Sequence, residues 1–276
     1  MPGTPDRSAT SDALDALDAS DSVPRPDDAL LGSRVVVTGG GTGIGRAAAH
    51  AFAAAGARVL VVGRTAATLA ETAREHPQVH YLVADVGAPE APAAIVATAL
   101  DVLGGIDILV NNAAQVRIAP LGAIDAREAQ AQVATNLLAP LFLTQAALPH
   151  LADAKGTVVN VSTAGAGRGW PGQSVYGAAK AGLDFLTRTW ALELAPRGIR
   201  VVAVSPGPVD TPIIESAGLT PEQITQLRER QRQRVPLGRI GRPEEVAWWI
   251  VNVCRPEASF TTGLNIPVDG GASVIF

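Results

Sequence analysis

The chain has 276 residues, of which 47% are hydrophobic and 17% are charged, so it can bury one large core and is not disordered as a whole. Its formal net charge of −4 lacks the basic excess that nucleic-acid binding needs, and its single cysteine excludes an intrachain disulfide and a cysteine metal site. No apolar run is long enough to span a membrane, and the acidic beginning does not resemble a signal peptide. We therefore expect a cytoplasmic protein with no nucleic-acid partner, no membrane partner and no metal.

The first thirty residues differ in composition from the rest of the chain. Residues 1–30 contain seven Asp and two Arg among Pro, Ser and Ala residues. This composition predicts a flexible acidic tail, with a partner-binding segment as the alternative. Residues 31–276 contain no internal repeat and predict a single domain.

Short apolar runs alternate with helical stretches from residue 34 onward. Such runs, bounded by turns and followed by helices, are typical of a parallel sheet covered by helices on both faces. Pro140 lies inside the longest helical stretch, where it predicts a bend. The sequence thus predicts an α/β fold with a single doubly wound parallel sheet of about seven strands. We predict strands at residues 34–38, 58–62, 79–84, 106–110, 156–161, 199–204 and 264–268, helices at 46–56, 66–75, 91–103, 124–151, 174–195 and 243–253, and an irregular or helical insertion at 211–235.

A glycine-rich turn separates the first strand from the first helix. It reads Gly39-Gly-Gly-Thr-Gly43-Ile-Gly45 and is followed by the Ala-rich helix. A turn in this place directs backbone N–H groups and a helix N-terminus at a phosphate, and glycines let the backbone approach it closely. The turn therefore predicts a dinucleotide site.

The ends of the next two strands bear on which dinucleotide binds. An acid at the end of the second strand accepts from the ribose hydroxyl of NAD, but this chain has Gly63 and Arg64 there. Arg64 offers a fork for a 2′-phosphate, which favours NADP(H) and leaves NAD(H) as the alternative. Asp85 and Val86 follow the third strand and are placed to meet the adenine. A solvated arginine and an ordinary loop aspartate are the alternatives.

Tyr176 and Lys180 are the candidate catalytic pair. On a helix, their spacing of four residues puts a phenol and an ammonium on one face, where the cation lowers the pKa of the phenol. The chain has only two tyrosines and two lysines, and all its other basic side chains besides histidine are arginine. Lys180 therefore indicates a task that arginine cannot perform. A half-buried tyrosine packed over a lysine is the structural alternative.

Taken together, these motifs resemble the short-chain dehydrogenase/reductase family (SDR), whose fold is the Rossmann fold. The resemblance covers residues 31–271 in the right order. It is carried by TGGGTGIG at 38–45, NNAA at 111–114, Asn136 in ATNLLAP, Tyr176-x-x-x-Lys180, SPGPVDT at 205–211, GRPEEVA at 241–247 and VDGG at 268–271.

The resemblance implies an NADP(H)-dependent oxidoreductase that interconverts a ketone or aldehyde and an alcohol by hydride transfer. It implies Tyr176 as the general acid/base, Lys180 as the group that lowers its pKa and holds the nicotinamide ribose, and Asn136 as the residue that orders a water. A 3-oxoacyl or secondary-metabolite ketoreductase, and assembly into a dimer or tetramer, are also implied. The implied cofactor-binding residues are Gly39, Thr42, Gly43, Ile44, Gly45, Arg64, Asp85, Val86, Asn112, Ala113, Tyr176, Lys180, Pro206, Gly207, Val209 and Thr211.

Two positions depart from the family pattern. The family has a serine thirteen residues before the tyrosine, where this chain has Thr163, with Ser162 one residue earlier. We favour Thr163 as the substrate-binding hydroxyl, because neighbouring side chains at a strand end point to opposite sides. Ala114 replaces a glycine. These departures keep open an NAD(P)-binding regulatory or scaffold protein with impaired catalysis.

Three loops are expected to contact the small-molecule substrate, because ligands of such folds bind beyond the carboxyl edge of the sheet. By position in the family these are residues 115–117, residues 164–173 with Trp170, and residues 213–235. Trp170 either stacks on a ring of the substrate or packs within its loop. We expect residues 211–240 to form a substrate lid.

Overall fold

In the computed structural model, residues 29–275 are described. Residues 1–28, which hold most of the predicted acidic tail, and residue 276 lie outside this part. The described chain contains a sheet of seven parallel strands in the order β3-β2-β1-β4-β5-β6-β7. The strands are β1 (Arg34–Thr38), β2 (Arg58–Gly63), β3 (Val79–Val83), β4 (Ile108–Asn111), β5 (Thr157–Val161), β6 (Arg200–Pro206) and β7 (Asn265–Val268).

Helices follow the strands and cover both faces of the sheet. The prediction of a doubly wound α/β fold with about seven strands is therefore confirmed. The helices are α1 (Gly43–Ala54), α2 (Ala66–Arg74), α3 (Ala91–Leu103), α4 (Ala126–Val133), α5 (Ala139–Asp153), α6 (Ser174–Leu194), α7 (Pro221–Arg234) and α8 (Pro243–Asn252).

The valine-rich strands bury side chains on both faces, which divides the core into two layers. In β1, Val35 and Val37 pack in the layer that contains residues of α1 and α8, such as Phe52. Val36 points the other way, into the layer that contains residues of α3, α5 and α6, such as Leu143. This use of both faces explains why the strands lack a polar alternation.

The strand order reverses between β1 and β4. The chain moves outward from β1 to β3, then crosses back so that β4 pairs with the other side of β1. Loops at the carboxyl ends of β1 and β4 therefore diverge and leave a crevice, which is where ligands of such sheets bind. The glycine turn and the Asn111–Asn112 pair both lie at this crevice.

Most strand and helix bounds lie within one to three residues of the predicted ones, and two of the differences have a structural cause. β4 begins at Ile108 instead of residue 106, because Asp107 accepts from the backbone N–H of Arg34 at 2.6 Å and from its guanidinium. The irregularity in the long helical region is a π-helical turn at Ala134–Leu138, directly before α5. Pro140 has no N–H to donate to the carbonyl of Asn136, so the regular α-helical bond is unavailable there.

Within residues 29–275, none of the helices is both long and apolar enough to cross a membrane. The same part of the chain holds no group of three or more His, Cys, Asp or Glu side chains placed for a metal ion.

Candidate active site

The glycine turn after β1 requires glycine for its conformation and for its packing. Gly39 and Gly43 have φ angles of +66° and +52°, in the left-handed region that side chains disfavour. A Cβ added to Gly45 would lie 2.2 Å from the carbonyl oxygen of Gly39. The turn leads into the N-terminus of α1, where the first N–H groups have no partner within the helix. The surface exposed at the turn therefore consists of backbone groups. This cradle fits the pyrophosphate of a dinucleotide.

Asn112, which was predicted to contact the cofactor, holds the glycine turn from behind. Its Nδ2 donates to the carbonyl oxygens of Thr38 at 2.8 Å and Gly39 at 3.2 Å. In return, the Thr38 Oγ1 accepts from the N–H groups of Asn112 and Ala113, both at 3.0 Å. These bonds tie the end of β4 to the end of β1 and fix the crevice between them.

Arg46 supports the same turn from the other side, and it is not among the residues predicted from the sequence. Its Nε and Nη2 donate to the carbonyl oxygen of Gly41 at 3.0 and 2.6 Å, and Nη2 also pairs with Glu71 at 2.7 Å. The only signal in the sequence was a basic residue directly after the glycine motif, within α1. Its contacts depend on α2, which no local pattern reveals.

The ends of β2 and β3 lie beside the glycine turn, as expected of residues near the adenosine. Arg64 is exposed, and no carboxylate within the described residues forms an ion pair with it. Asp85 is exposed, and its Oδ1 accepts from the N–H of Gly87 at 3.0 Å. Val86 is buried. Arg64 therefore offers a charge that its surroundings leave uncompensated.

Two neighbouring hydroxyl side chains leave the end of β5 in different directions. Ser162 is buried, and its Oγ lies 3.4 Å from the carbonyl oxygen of Lys180. Thr163 is half-buried and makes a hydrogen-bonding contact with the phenol of Tyr176. Of the two candidates, the structure places Thr163 beside Tyr176 and Ser162 beneath α6.

The pKa of Tyr176 is shifted in the direction opposite to the one that its spacing from Lys180 predicts. Burial raises the pKa of the phenol to about 12, and the contact with Thr163 opposes only part of this rise. The Nζ of Lys180 is directed elsewhere, since it donates to the carbonyl oxygen of Val161 at 2.7 Å. Desolvation of the phenolate therefore outweighs the effect of the nearby cation. The phenol keeps its proton at neutral pH.

Lys180 is almost completely buried, with 2% of its surface exposed. Burial lowers the pKa of its ammonium to about 8, and the charge of Asp184 opposes this shift. An arginine could not respond in this way, because its pKa stays far above the neutral range. Lys180 is therefore a cation that can lose its proton close to neutral pH.

Asn136 lies in the π-helical turn and is fully buried. Its Oδ1 accepts from the N–H of Gln115 at 2.9 Å, and its Nδ2 donates to the Gln115 carbonyl oxygen at 2.7 Å. The side chain thus fixes the loop after β4 to the junction of α4 and α5. Single π-helical turns of this kind are frequent at functional sites.

The loop after β6 reaches back to the start of α1. Gly207 donates its N–H to the carbonyl oxygen of Val268 at 3.0 Å, and a Cβ there would lie 2.7 Å from the Cα of Asp269. Thr211 lies against Gly43, where an added Cβ would be 3.0 Å from its Cγ2. Two segments that are 168 positions apart in the sequence therefore meet at one end of the crevice.

Known proteins share this arrangement. The family model described as enoyl-(acyl carrier protein) reductase matches residues 39–273. The crystal structure of a short-chain dehydrogenase/reductase from Caenorhabditis elegans, solved with its cofactor, is similar at a TM-score of 0.84 and 33% identity, covering 90% of this chain and 97% of that one. This chain belongs to the short-chain dehydrogenase/reductase family. It is an oxidoreductase of that family.

Two other SDR relatives are named as reductases of carbonyl compounds. L-xylulose reductase of Bos taurus is 38% identical over 88% of this chain and 97% of its own length. The 3-ketoacyl-(acyl-carrier-protein) reductase of Brucella melitensis, solved in complex with NADH, is 31% identical, with a TM-score of 0.81 over 88% of this chain and 99% of that one. The chain is therefore similar to SDR ketoreductases over nearly its whole described length.

The three loops that were predicted to contact the substrate also contact one another. Ala119 donates its N–H to the carbonyl oxygen of Gly172 at 2.9 Å, and Ile118 donates to that of Ala217 at 3.1 Å. The loop after β4 therefore contacts both of the others. Trp170 packs within its own loop, since its Nε1 donates to the Gly165 carbonyl oxygen at 3.2 Å.

The predicted lid region contains a 3₁₀ turn at Pro212–Ser216 and α7, which meets the prediction of an irregular or helical insertion. None of the side chains of α7 is fully buried. Arg228 of α7 forms an ion pair with Asp210 in the loop after β6. The helix is thus joined to the loop after β6 by this ion pair and buries few of its own side chains.

Proposed function

We propose that this SDR is an NADP(H)-dependent carbonyl reductase, or the corresponding alcohol dehydrogenase, in which Tyr176 is the general acid/base. The observation that carries the proposal is the contact between the half-buried phenol of Tyr176 and Thr163, one helical turn from a buried lysine. A phenol with its pKa near 12 holds a proton at neutral pH, as a donor to a substrate oxygen must.

Each catalytic candidate has a distinct task in this reaction. The nicotinamide cofactor, when bound, supplies a hydride to the carbonyl carbon or accepts one from the alcohol. Tyr176 gives its phenolic proton to the carbonyl oxygen, and Thr163 donates a hydrogen bond to the same oxygen as charge develops on it. The ammonium of Lys180 stabilises the phenolate that remains. Asn136 fixes the adjoining loop and orders a water that returns the proton.

The predicted cofactor residues follow the ends of strands β1 to β6, at the carboxyl edge of the sheet where ligands of this fold bind. The backbone of the glycine turn would hold the pyrophosphate, and Lys180 with Tyr176 would hold the nicotinamide ribose. The loop from Pro206 to Thr211 would cover the nicotinamide. Asn112 would act mainly through the turn that it supports.

NADP(H) is the favoured cofactor because of Arg64. Its uncompensated guanidinium at the end of β2 is suited to a 2′-phosphate, and no acid stands at this strand end to accept from a ribose hydroxyl. The Brucella melitensis relative was solved with NADH, so NAD(H) remains the alternative to be measured.

The proposed substrate is a small ketone or aldehyde, or the ketone of a 3-oxoacyl thioester. The relatives named above include a sugar reductase and a 3-ketoacyl-(acyl-carrier-protein) reductase, which supports a 3-oxoacyl or secondary-metabolite ketone. We propose that residues 211–240 act as the lid over this substrate, because α7 has a largely exposed surface.

We also propose a homodimer or homotetramer. Large apolar side chains lie exposed on the described surface of α5 and α6, with Phe142 48% and Phe185 62% exposed, and near the C-terminus, with Trp248 57% exposed. Apolar surface of this kind marks interfaces. Size-exclusion chromatography with light scattering measures the assembly directly.

The test of the function is a substrate panel. The purified protein is mixed with NADPH or NADH and with a ketose, a 3-oxoacyl thioester and an aromatic ketone, and nicotinamide absorbance is followed. Oxidation of NADPH faster than of NADH with at least one ketone is the expected result. Tight NADPH binding without turnover on any member would favour the regulatory or scaffold alternative, and preference for NADH would overturn the cofactor assignment.

A further inference from the structure

The guanidinium of Arg46 joins the glycine turn to α2. Besides its bonds to the carbonyl oxygen of Gly41, its Nη2 pairs with Glu71 at 2.7 Å, and its Nε donates to the Oγ1 of Thr72 at 3.1 Å. Glu71 and Thr72 belong to α2, whereas Arg46 belongs to α1. One side chain therefore connects the turn with both helices.

Thr72 holds a second carbonyl group of the same turn. Its side chain is fully buried, and its Oγ1 lies 3.1 Å from the carbonyl oxygen of Gly40 and 3.0 Å from that of Thr68. A hydroxyl has one proton to donate, which these two acceptors share, while its oxygen accepts from Arg46. The carbonyl groups of Gly40 and Gly41 thus both point towards α2.

The direction of these carbonyl groups determines the direction of the next two N–H groups. The peptide bonds of the turn are trans, and in a trans peptide the C=O and the following N–H point to opposite sides. The N–H groups of Gly41 and Thr42 therefore point away from α2, and neither makes a hydrogen bond within the described part of the chain. The N–H groups of Gly39 and Gly40, by contrast, both donate to the carbonyl oxygen of Val62. Successive free N–H groups before a helix form a concave site for an anion.

The same contacts hold the strand end that is proposed for the 2′-phosphate. Arg64 and Thr65 connect β2 to α2, and the Thr68 Oγ1 donates to the carbonyl oxygen of Thr65 at 3.1 Å. Thr68 also lies against the turn, since a Cβ added to Gly41 would be 2.6 Å from its Oγ1. The helix that is held against the turn thus begins directly after the loop that carries Arg64.

We propose that Arg46 and Thr72 are positioning residues for the dinucleotide. They hold the carbonyl groups of Gly40 and Gly41 against α2. The N–H groups of Gly41 and Thr42 are thereby left free to bind a phosphate. The inference rests on the proposed cofactor-binding role of the turn, but not on the substrate. Because NADP(H) and NAD(H) share the pyrophosphate, the effect applies to both.

Calorimetric titration with NADPH and with NADH, without substrate, tests this proposal. Arg46→Met should weaken both cofactors by a similar factor of roughly 10 or more, because the Gly41 carbonyl loses a charged donor. Arg64→Ala, by contrast, should weaken NADPH far more than NADH. Wild-type affinity for both cofactors in Arg46→Met would overturn the proposal. A wild-type protein that binds neither cofactor would refute the proposed function, and the proposal with it.

Arg58→Met is the matched control. The Arg58 guanidinium also donates to two backbone carbonyl groups, those at the end of α3, but it lies at the start of β2, at the opposite edge of the sheet. The variant should lose stability to urea and keep its affinity for both cofactors. An equal loss of cofactor affinity in Arg58→Met and Arg46→Met would contradict the proposal, because general destabilisation would then explain both.

Arg46→Lys separates the holding of carbonyl groups from a simple attraction of charge. Lysine keeps the positive charge but lacks the fork that reaches Gly41, Glu71 and Thr72 together, so most of the loss in affinity should remain. Wild-type affinity in Arg46→Lys would show that the charge alone matters and would overturn the proposal.

Two variants of Thr72 keep the test decisive if Arg46→Met does not fold. Thr72→Val removes the donor to the Gly40 carbonyl and preserves the shape, so both cofactors should bind roughly 3- to 10-fold more weakly. Thr72→Ser keeps the hydroxyl and should bind them close to wild type. Equal affinities of the valine and serine variants would overturn the role assigned to this hydroxyl.

Discussion

Asn136 and Gln115 are joined by two hydrogen bonds: the N–H of Gln115 donates to Oδ1 of Asn136, and Nδ2 of Asn136 donates to the carbonyl oxygen of Gln115. The pairing fixes the loop after β4, which forms one wall of the cleft, to the π-helical turn. It also shows why the amide must be at this point of the helix. An aspartate would lack the donor for the carbonyl, and a leucine would leave both backbone groups unpaired.

Asn136→Ala should therefore lower both stability and turnover. Two backbone groups of Gln115 lose their partner, which costs roughly 1–3 kcal/mol. Urea denaturation measures the loss, and NADPH oxidation measures the turnover. Gln132→Ala is the matched control, because its Oε1 accepts from the N–H of Arg117 at 3.0 Å in the same loop. It should cost less stability, because it removes one such bond instead of two, and retain far more activity. Equal loss of activity in both variants would assign Asn136 to structure alone.

Tyr176→Phe should remove most of the turnover and leave cofactor affinity nearly intact. The change deletes the proton donor but keeps the ring, so we expect kcat to fall by roughly 100-fold or more. Single-turnover kinetics and NADPH titration by fluorescence separate the two effects. Tyr81→Phe, on the exposed face of β3, is the control with the same chemical change. Wild-type rates in Tyr176→Phe would show that another group supplies the proton.

Thr163 should be needed for its hydroxyl and not for its methyl group. Thr163→Val keeps the shape and removes the hydroxyl, so kcat for ketone reduction should fall by roughly 100-fold. Thr163→Ser keeps the hydroxyl and should stay close to wild type. Comparable rates in the valine and serine variants would refute the role proposed for this side chain.

Arg64→Ala should weaken NADPH binding by roughly 10- to 100-fold and NADH binding little, because a charge-assisted contact to the 2′-phosphate is lost. Calorimetric titration of both cofactors gives the two affinities. Arg74→Ala, at the exposed end of α2, removes the same charge away from the strand end and serves as the control. An equal effect of Arg64→Ala on NADPH and NADH would contradict the phosphate site.

Some of the features behind these predictions can be predicted from the sequence, and others cannot. The order of strands and helices was predictable, because the buried parallel strands of this fold are short apolar runs such as RVVVT at 34–38. The meeting of Thr163 with Tyr176 followed from a spacing in a known family. The contacts of Arg46, by contrast, depend on α2 and have no local pattern.

The pKa of Tyr176 was predicted in the wrong direction for a related reason. Spacing on a helix identifies a neighbouring charge, but burial depends on every element that packs around the phenol. Here desolvation dominates, and the Lys180 ammonium is bound to the Val161 carbonyl. A sequence motif identifies the residues of a site, but it does not show whether burial or a neighbouring charge has the larger effect on their pKa values.

Lys180→Met should abolish activity and raise stability at neutral pH. The pKa of Lys180 is about 8 in the folded protein and 10.5 in the reference state, so between these values the unfolded chain binds more protons. Wild-type stability should therefore rise with pH across this window, by up to about 3 kcal/mol. The methionine variant lacks this dependence, so its advantage should be largest below pH 8.

Urea denaturation of both proteins from pH 7 to pH 10 tests this prediction. The titration stops at pH 10 because of Tyr176. Its raised pKa makes the stability of both proteins fall as the pH rises from 10 towards 12. Between pH 8 and pH 10 the difference in unfolding free energy should shrink as the pH rises. A constant difference would mean that burial does not shift the pKa of Lys180. In that case the lysine would be cationic throughout this pH range.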